Sequence, residues 1–149
     1  SGGDMENPSY DQISMGNTRH AEAIQIKFDP KIISYEKLLE VFWATHNPTT
    51  LNKQGADVGT QYRSVIFYHD EKQKEKAEKS KLEMEKSDKF REKIVTEITP
   101  FINFYDAESY HQNYYERNQD APYCSIVINP KIEKLLREFN SVVKEEYNN

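Results

Sequence analysis

The chain has 149 residues, enough for one domain with a real core, although only 36% of them are hydrophobic and the mean hydropathy is -0.91. A formal net charge of -5 gives no reason to expect nucleic acid or an anionic membrane as a partner; no apolar run approaches spanning length and no signal peptide is visible. Cys124 is the only cysteine, which excludes an internal disulfide framework and fits a reducing compartment, with the cytoplasm as the expected location.

In chain order, residues 1–16 are rich in turn formers (Gly2-Gly3, Asn7-Pro8, Gly16) and carry no usable period. Ile24, Ile26 and Phe28 alternate with polar residues, which predicts a half-buried strand that Asp29-Pro30 ends. Ser34 is placed to cap a helix whose apolar stripe is Tyr35, Leu38, Leu39 and Phe42, with Trp43 beside it. The apolar run in residues 62–68 predicts a buried strand. Asp70 and Gln73 suggest a capping box for a Lys/Glu-rich helix to about Lys86, most simply a solvated face. Residues 94–98 predict another strand, closed by Thr99-Pro100. Asp106 is placed to cap a short helix on which Tyr110 and Tyr114, and likewise His111 and Tyr115, would share faces. Residues 124–128 read as short and extended. Pro130 opens the clearest helix, striped by Ile132, Leu135, Leu136, Phe139, Val142 and Val143. Strands and helices alternate in short segments without a glycine fingerprint or a P-loop. The expected class is α+β, one domain over residues 1–149, a two-layer sandwich of a mixed sheet and helices.

The polar loop QGADVGTQYR, residues 54–63, stands before the strongest strand and reads either as a tight turn or as a site. A second cluster, Phe104, Tyr105, Glu108, Tyr110, His111 and Tyr114, is equally dense in hydrogen-bonding groups. The four histidines have no metal-ligand spacing, and nothing near Cys124 in sequence marks a lowered thiol pKa. Ten tyrosines and seven phenylalanines suit a small-molecule pocket as readily as an interface. The best generic site is a tyrosine and acid pocket of Asp57, Tyr62, His111, Tyr114 and Tyr123, able to hydrogen-bond a strongly polar oxygen while rings pack on an apolar group.

The phrases NPSY, RHAEAIQIKFDP, ISYEKLLEVFWATHNPT, QGADVGTQYRS, FYDAESYHQNYY and PYC, in that order, resemble the peptide methionine sulfoxide reductase A family over nearly the whole chain. The resemblance implies a ferredoxin-like α+β domain and reduction of the S epimer of methionine sulfoxide, free or in proteins. It implies no cofactor, with thioredoxin, or dithiothreitol in vitro, as reductant. On matching positions, Asp57 would organise the pocket and Tyr62 and Tyr114 would place hydroxyls near the sulfoxide oxygen. Tyr123 would stand beside them with His111, and Cys124 would be the resolving cysteine, forming a disulfide that thioredoxin opens. His20 and Glu22, in a family phrase, are expected to support structure.

Two departures stand out. The family nucleophile is a cysteine in a GCFWG phrase, absent here; Ser1-Gly2-Gly3 resembles the end of a later GYSGG segment. The chain is therefore expected to be N-terminally incomplete, with that segment upstream or on a companion chain. Gln12 falls where a protonated family glutamate is expected, and it can donate a hydrogen bond but not a proton; a shift of one residue would put Asp11 there. The alternative to a reductase is a non-catalytic binding or scaffold remnant that keeps the sulfoxide pocket.

Overall fold

The protein, seen here in a computed structural model that describes residues 1–144, begins with a loop closed on itself by hydrogen bonds. The Gly3 amide donates to His20 Nδ1 at 3.1 Å, which leaves Nε2 as the donor to Met5 O at 2.8 Å. His20 is wholly buried in this role. A short helix follows, α1 (Tyr10–Ser14), opened by a reciprocal capping box: Ser9 Oγ accepts from the Gln12 amide at 3.3 Å and Gln12 Oε1 from the Ser9 amide at 2.8 Å.

Helix α2 (Tyr35–Thr45) starts where its cap requires, with Ser34 Oγ accepting from the Lys37 amide at 3.1 Å. Strands β1 (Lys53–Gln54) and β2 (Asp57–Val58) form an antiparallel hairpin in which Gln54 stands opposite Asp57. A 3-10 turn (Thr60–Tyr62) leads into β3 (Val65–Tyr68). Helix α3 (Glu71–Lys86) is capped by Asp70, which accepts from the Gln73 amide, while the Gln73 side chain reaches back to the His69 amide at 3.0 Å. The chain then returns as β4 (Glu97–Pro100), parallel to β3, with Ile66 opposite Ile98. A parallel pair needs such a crossover, and α3 supplies it. Pro100 has no amide to give, so the ladder ends with the Phe101 amide on Tyr68 O at 2.8 Å. Beyond a long loop lie α4 (Tyr114–Arg117), a π-helical turn (Cys124–Ile128) and α5 (Asn129–Phe139).

The core forms where α2 and α3 meet the β3–β4 pair: Leu39, Trp43, Ile66, Ala77 and Ile94 are buried together, with Phe42, Met84, Phe90 and Ile98 packed against them. Burial of a large apolar side chain contributes about 2–3 kcal/mol. Trp43 also donates Nε1–H to Ser80 Oγ at 2.7 Å, which fixes α2 on α3. Helix α5 runs antiparallel to α2. Lys134 at its middle donates to Ala44 O at 2.6 Å near the end of α2, and Phe139 at its end lies under Lys37 Nζ near the start of α2, 5.9 Å from the ring centroid.

The α+β class holds, but the described strands form two separate two-stranded ladders and not one mixed sheet. Residues 23–28 are no strand: a period of two needs a neighbour to bury one face, and Ile24 and Ile26 are 83% and 53% exposed. The strand expected at 94–98 begins three residues later, and Ile94 serves the core from the loop before it, where Val95 N–H bonds Pro48 O. Asp106 caps nothing. The helix waits until Tyr114 because Asn113 adopts a left-handed conformation at φ 51°, so Tyr110 and Tyr114 do not share a helical face. Cys124–Ile128 is helical because the turn runs directly into α5, and Phe139 ends α5 before the stripe reaches Val142 and Val143.

Behind α2, the His46 imidazole bonds Phe42 O through Nδ1 at 2.5 Å and Ser64 Oγ through Nε2 at 2.8 Å, and Ser64 meets Thr96 Oγ1 at 2.8 Å. Burial holds His46 below its usual pKa, against the opposing pull of the Phe42 bond. A base whose pKa falls on folding contributes fully above its unfolded value and loses that contribution as pH drops through it. The denaturant midpoint should therefore fall from about pH 7.5 to about pH 5.5, and His46→Gln should flatten that slope. Equal slopes in the two proteins would remove His46 as the cause.

Candidate active site

Two backbone devices bring distant residues to one hollow. Gln61, 4% exposed, donates its side-chain Nε2–H to Ser14 O at 2.9 Å at the end of α1, and its backbone carbonyl accepts the Glu22 amide at 2.8 Å. Thr60 Oγ1 adds a bond to Gly16 O at 3.0 Å. Gly59 makes this possible: at φ 153° its backbone suits no other residue well, and a Cβ there would stand 2.3 Å from Gln61 Oε1. The second device is Glu108, whose Oε1 accepts the Tyr10 amide at 3.0 Å while its own carbonyl accepts the His111 amide at 2.9 Å. Tyr10 and His111 are thereby brought into contact, with ring centroids 3.8 Å apart and planes tilted by 36°, and the Tyr110 ring centroid lies 4.3 Å from that of His111.

Around the hollow stand Glu22, Asp57, Tyr10, Tyr62, His111 and Tyr123. Tyr123 donates its hydroxyl to Asp57 Oδ2 at 3.3 Å, across 66 residues of sequence. Glu22 is open to solvent at its edge, yet the packing around it and then the Asp57 charge raise its pKa above the usual carboxylate range, with His111 pulling the other way. A negative charge beside a carboxyl disfavours its ionisation, so the neighbouring Asp57 helps Glu22 keep its proton to higher pH. The phenols respond to the same field. Burial first and the two carboxylates after it raise the pKa of Tyr62 and of Tyr123, and burial with Glu22 foremost among the charges raises that of Tyr10. Each therefore remains an O–H donor. His111 Nε2 is buried without a hydrogen-bond partner, a polar atom left for whatever enters.

Of the residues expected from sequence, Asp57, Tyr62, His111 and Tyr123 are thus gathered. Tyr114 is 38% exposed, and its hydroxyl makes no bond to the group; its carbonyl accepts from Asn118 Nδ2 at 2.8 Å. Gln12 does not join them, because its carboxamide is committed to the α1 cap; Asp11 is exposed in the first turn of the same helix. Glu22, expected to be structural, is the second acid of the hollow, and Tyr10 was missed altogether. The signal for Glu22 was its neighbours: it follows His20 and Ala21, both buried, so its backbone is fixed. Cys124 is fully buried at the start of the π-helical turn, which must open locally before its sulfur can react. Among the described residues no group of His, Cys, Asp and Glu could hold a metal ion.

Carboxyl-carbon NMR should show Glu22 titrating above an ordinary glutamate, and Asp57→Asn should move it downward. A Glu22 that titrates as a free side chain would undo the proposed field. Cys124 should react slowly with an aromatic disulfide reagent in the native protein and fast in denaturant; equal rates would show that the sulfur is not occluded.

A family model described as peptide methionine sulfoxide reductase matches residues 1–143. The chain is 49% identical over 144 residues to the peptide methionine sulfoxide reductase MsrA of Saccharolobus solfataricus, covering 97% of this chain and 80% of that protein. Among solved structures it is similar to Mxr1 from Saccharomyces cerevisiae in reduced form, with a TM-score of 0.73 at 42% identity over 78% of this chain and 63% of that one. Methionine sulfoxide reductase A of Corynebacterium diphtheriae gives 0.67 at 31% identity over 79% and 60%. The chain thus spans about four-fifths of the first relative and about three-fifths of the two solved chains. None of these names points to a non-catalytic scaffold. The chain belongs to the peptide methionine sulfoxide reductase family.

Proposed function

We propose that the hollow binds methionine sulfoxide, free or in proteins, as the oxygen-activating site of a reductase specific for the S epimer. The observation that carries this reading is the meeting of two carboxyls, Glu22 and Asp57, with three phenol donors, Tyr10, Tyr62 and Tyr123, an arrangement that favours the protonated form of Glu22. A sulfoxide oxygen is a strong acceptor with no proton of its own, so a ring of donors suits it, and a protonated acid can complete its departure. Family membership and the relatives' names support the same substrate.

In the proposed chemistry a cysteine thiolate attacks the sulfoxide sulfur and the S–O bond breaks. Oxygen passes to the thiol as a sulfenic acid, methionine leaves, and the oxygen's proton comes from Glu22. Tyr62 and Tyr10 donate to the oxygen as charge develops, and Asp57 holds Tyr123 in place. The GCFWG phrase that would supply this first thiolate is not among these residues. Cys124 then condenses with the sulfenic acid, releasing water, and a dithiol such as thioredoxin reduces the disulfide. This cycle needs no bound cofactor and belongs in a reducing compartment, the cytoplasm. No described helix is long and apolar enough to cross a membrane.

Titration calorimetry should detect a peptide carrying S-methionine sulfoxide and give little heat with the same peptide carrying methionine. In a protein that carries a Gly-Cys-Phe-Trp phrase ahead of Ser1, with excess dithiothreitol, the S epimer alone should be reduced. There Glu22→Gln should slow turnover by about a hundredfold or more, whereas Gln12→Ala should change it little. The opposite ranking of those two variants would return the proton donor to Gln12's helix.

A further inference from the structure

On the other strand of the hairpin from Asp57 lies a second concavity. It is an open groove of about 640 Å³ between the end of α2, the loop before β4 and the start of α5. Its rim includes Gln54, the residue directly opposite Asp57 in the β1–β2 register. Facing residues of such a ladder lie roughly 5 Å apart, so the edge of the groove at Gln54 adjoins the Asp57 side of the site.

The groove is lined by Lys89, Arg91, Lys131 and Lys134 against one acid, Glu92. None of these cations takes part in an ion pair among the described residues, in a chain whose net charge is -5. Lys134 is partly occupied by Ala44 O at the α2 terminus, which leaves Arg91 and Lys131 exposed beside Lys89, whose Nζ lies 5.9 Å from the Phe90 ring centroid. Lys131 and Lys134 are three apart on α5 and share its face. Uncompensated like charges in one concavity repel one another, and an anionic segment laid between them relieves that repulsion. Along one wall Gln54, Asn47 and Thr49 bond one another, the Asn47 amide donating to Gln54 Oε1 at 3.1 Å and the Thr49 amide to Asn47 Oδ1 at 3.0 Å, which holds that wall in shape.

We infer that this groove is a specificity subsite for acidic residues flanking methionine sulfoxide in a protein substrate. The inference rests on the function proposed for the hollow. Asp or Glu side chains a few residues from the sulfoxide sit among Lys89, Arg91 and Lys131, while the sulfoxide occupies the site beside Asp57.

The test uses fluorescent S-methionine sulfoxide peptides flanked by glutamates, serines or lysines, with binding to this chain read by anisotropy. The glutamate-flanked peptide should bind about tenfold more tightly than the serine-flanked one at low salt, and the lysine-flanked one more weakly. Salt at about 0.5 M should erase the preference. Lys89→Ser with Lys131→Ser should erase it too, without altering the serine-flanked peptide, and circular dichroism verifies that this variant is folded. Lys134 is left in place because it bonds α2. Equal affinities for the three sulfoxide peptides would overturn the subsite alone. A serine-flanked sulfoxide peptide that binds no better than its methionine counterpart would overturn the reading of the hollow. Glutamate-flanked peptides that bind equally with methionine or its sulfoxide would overturn the link between groove and hollow.

Discussion

The site depends on one buried carboxamide. Gln61 reaches the end of α1 with its side chain and the Glu22 amide with its backbone carbonyl, so a single residue sets the distance between the segment bearing Tyr10 and the segment bearing Glu22. Two neighbours stand in the same 3-10 turn: Thr60, which ties Gly16, and Tyr62, which lines the hollow. Neither α1 nor the extended segment after Ala21 has enough hydrogen bonds of its own to hold a fixed place. Short helices are marginal alone, and an unpaired strand more so. Their order is borrowed from the turn, and the turn is possible only because Gly59 leaves room for the Gln61 side chain.

From that constraint the electrostatics follow. Glu22 and Asp57 are brought close by the loop geometry and not by attraction, since the Asp57 charge disfavours ionisation of Glu22. The tyrosines stabilise the arrangement because phenols donate to carboxylates, as Tyr123 does to Asp57. A site built this way prefers a guest that accepts hydrogen bonds and brings no negative charge, which describes a sulfoxide better than a carboxylate or a phosphate. The basic groove beyond Gln54 has the opposite preference. A cluster of donors and a basic groove that adjoin at the hairpin suit one extended substrate with a neutral oxygen at one point and acids further along.

The sequence made the helices legible because their causes are local. Ser34 and Asp70 cap where their side chains can reach, and the α2 and α5 stripes follow helical spacing as far as Phe139. What failed depended on partners. The alternation at 23–28 carries no information about whether a neighbouring strand exists, and the left-handed Asn113 that delays α4 has no signature beyond its residue type. In the site, Asp57, Tyr62, His111 and Tyr123 were visible as polar and aromatic density. Gln12 lies apart from the group and Glu22 within it because position along a phrase cannot tell a side chain that turns back to cap its own helix from one that stands beside Asp57.

Trp43, the only tryptophan in the chain, lies at the α2–α3 contact with its ring 2% exposed and its indole N–H on Ser80. It is therefore a built-in optical reporter of the scaffold. Its emission will track separation of the two helices and stay silent to occupancy of the hollow, so loss of the frame and loss of the site can be followed in the same cuvette as separate signals.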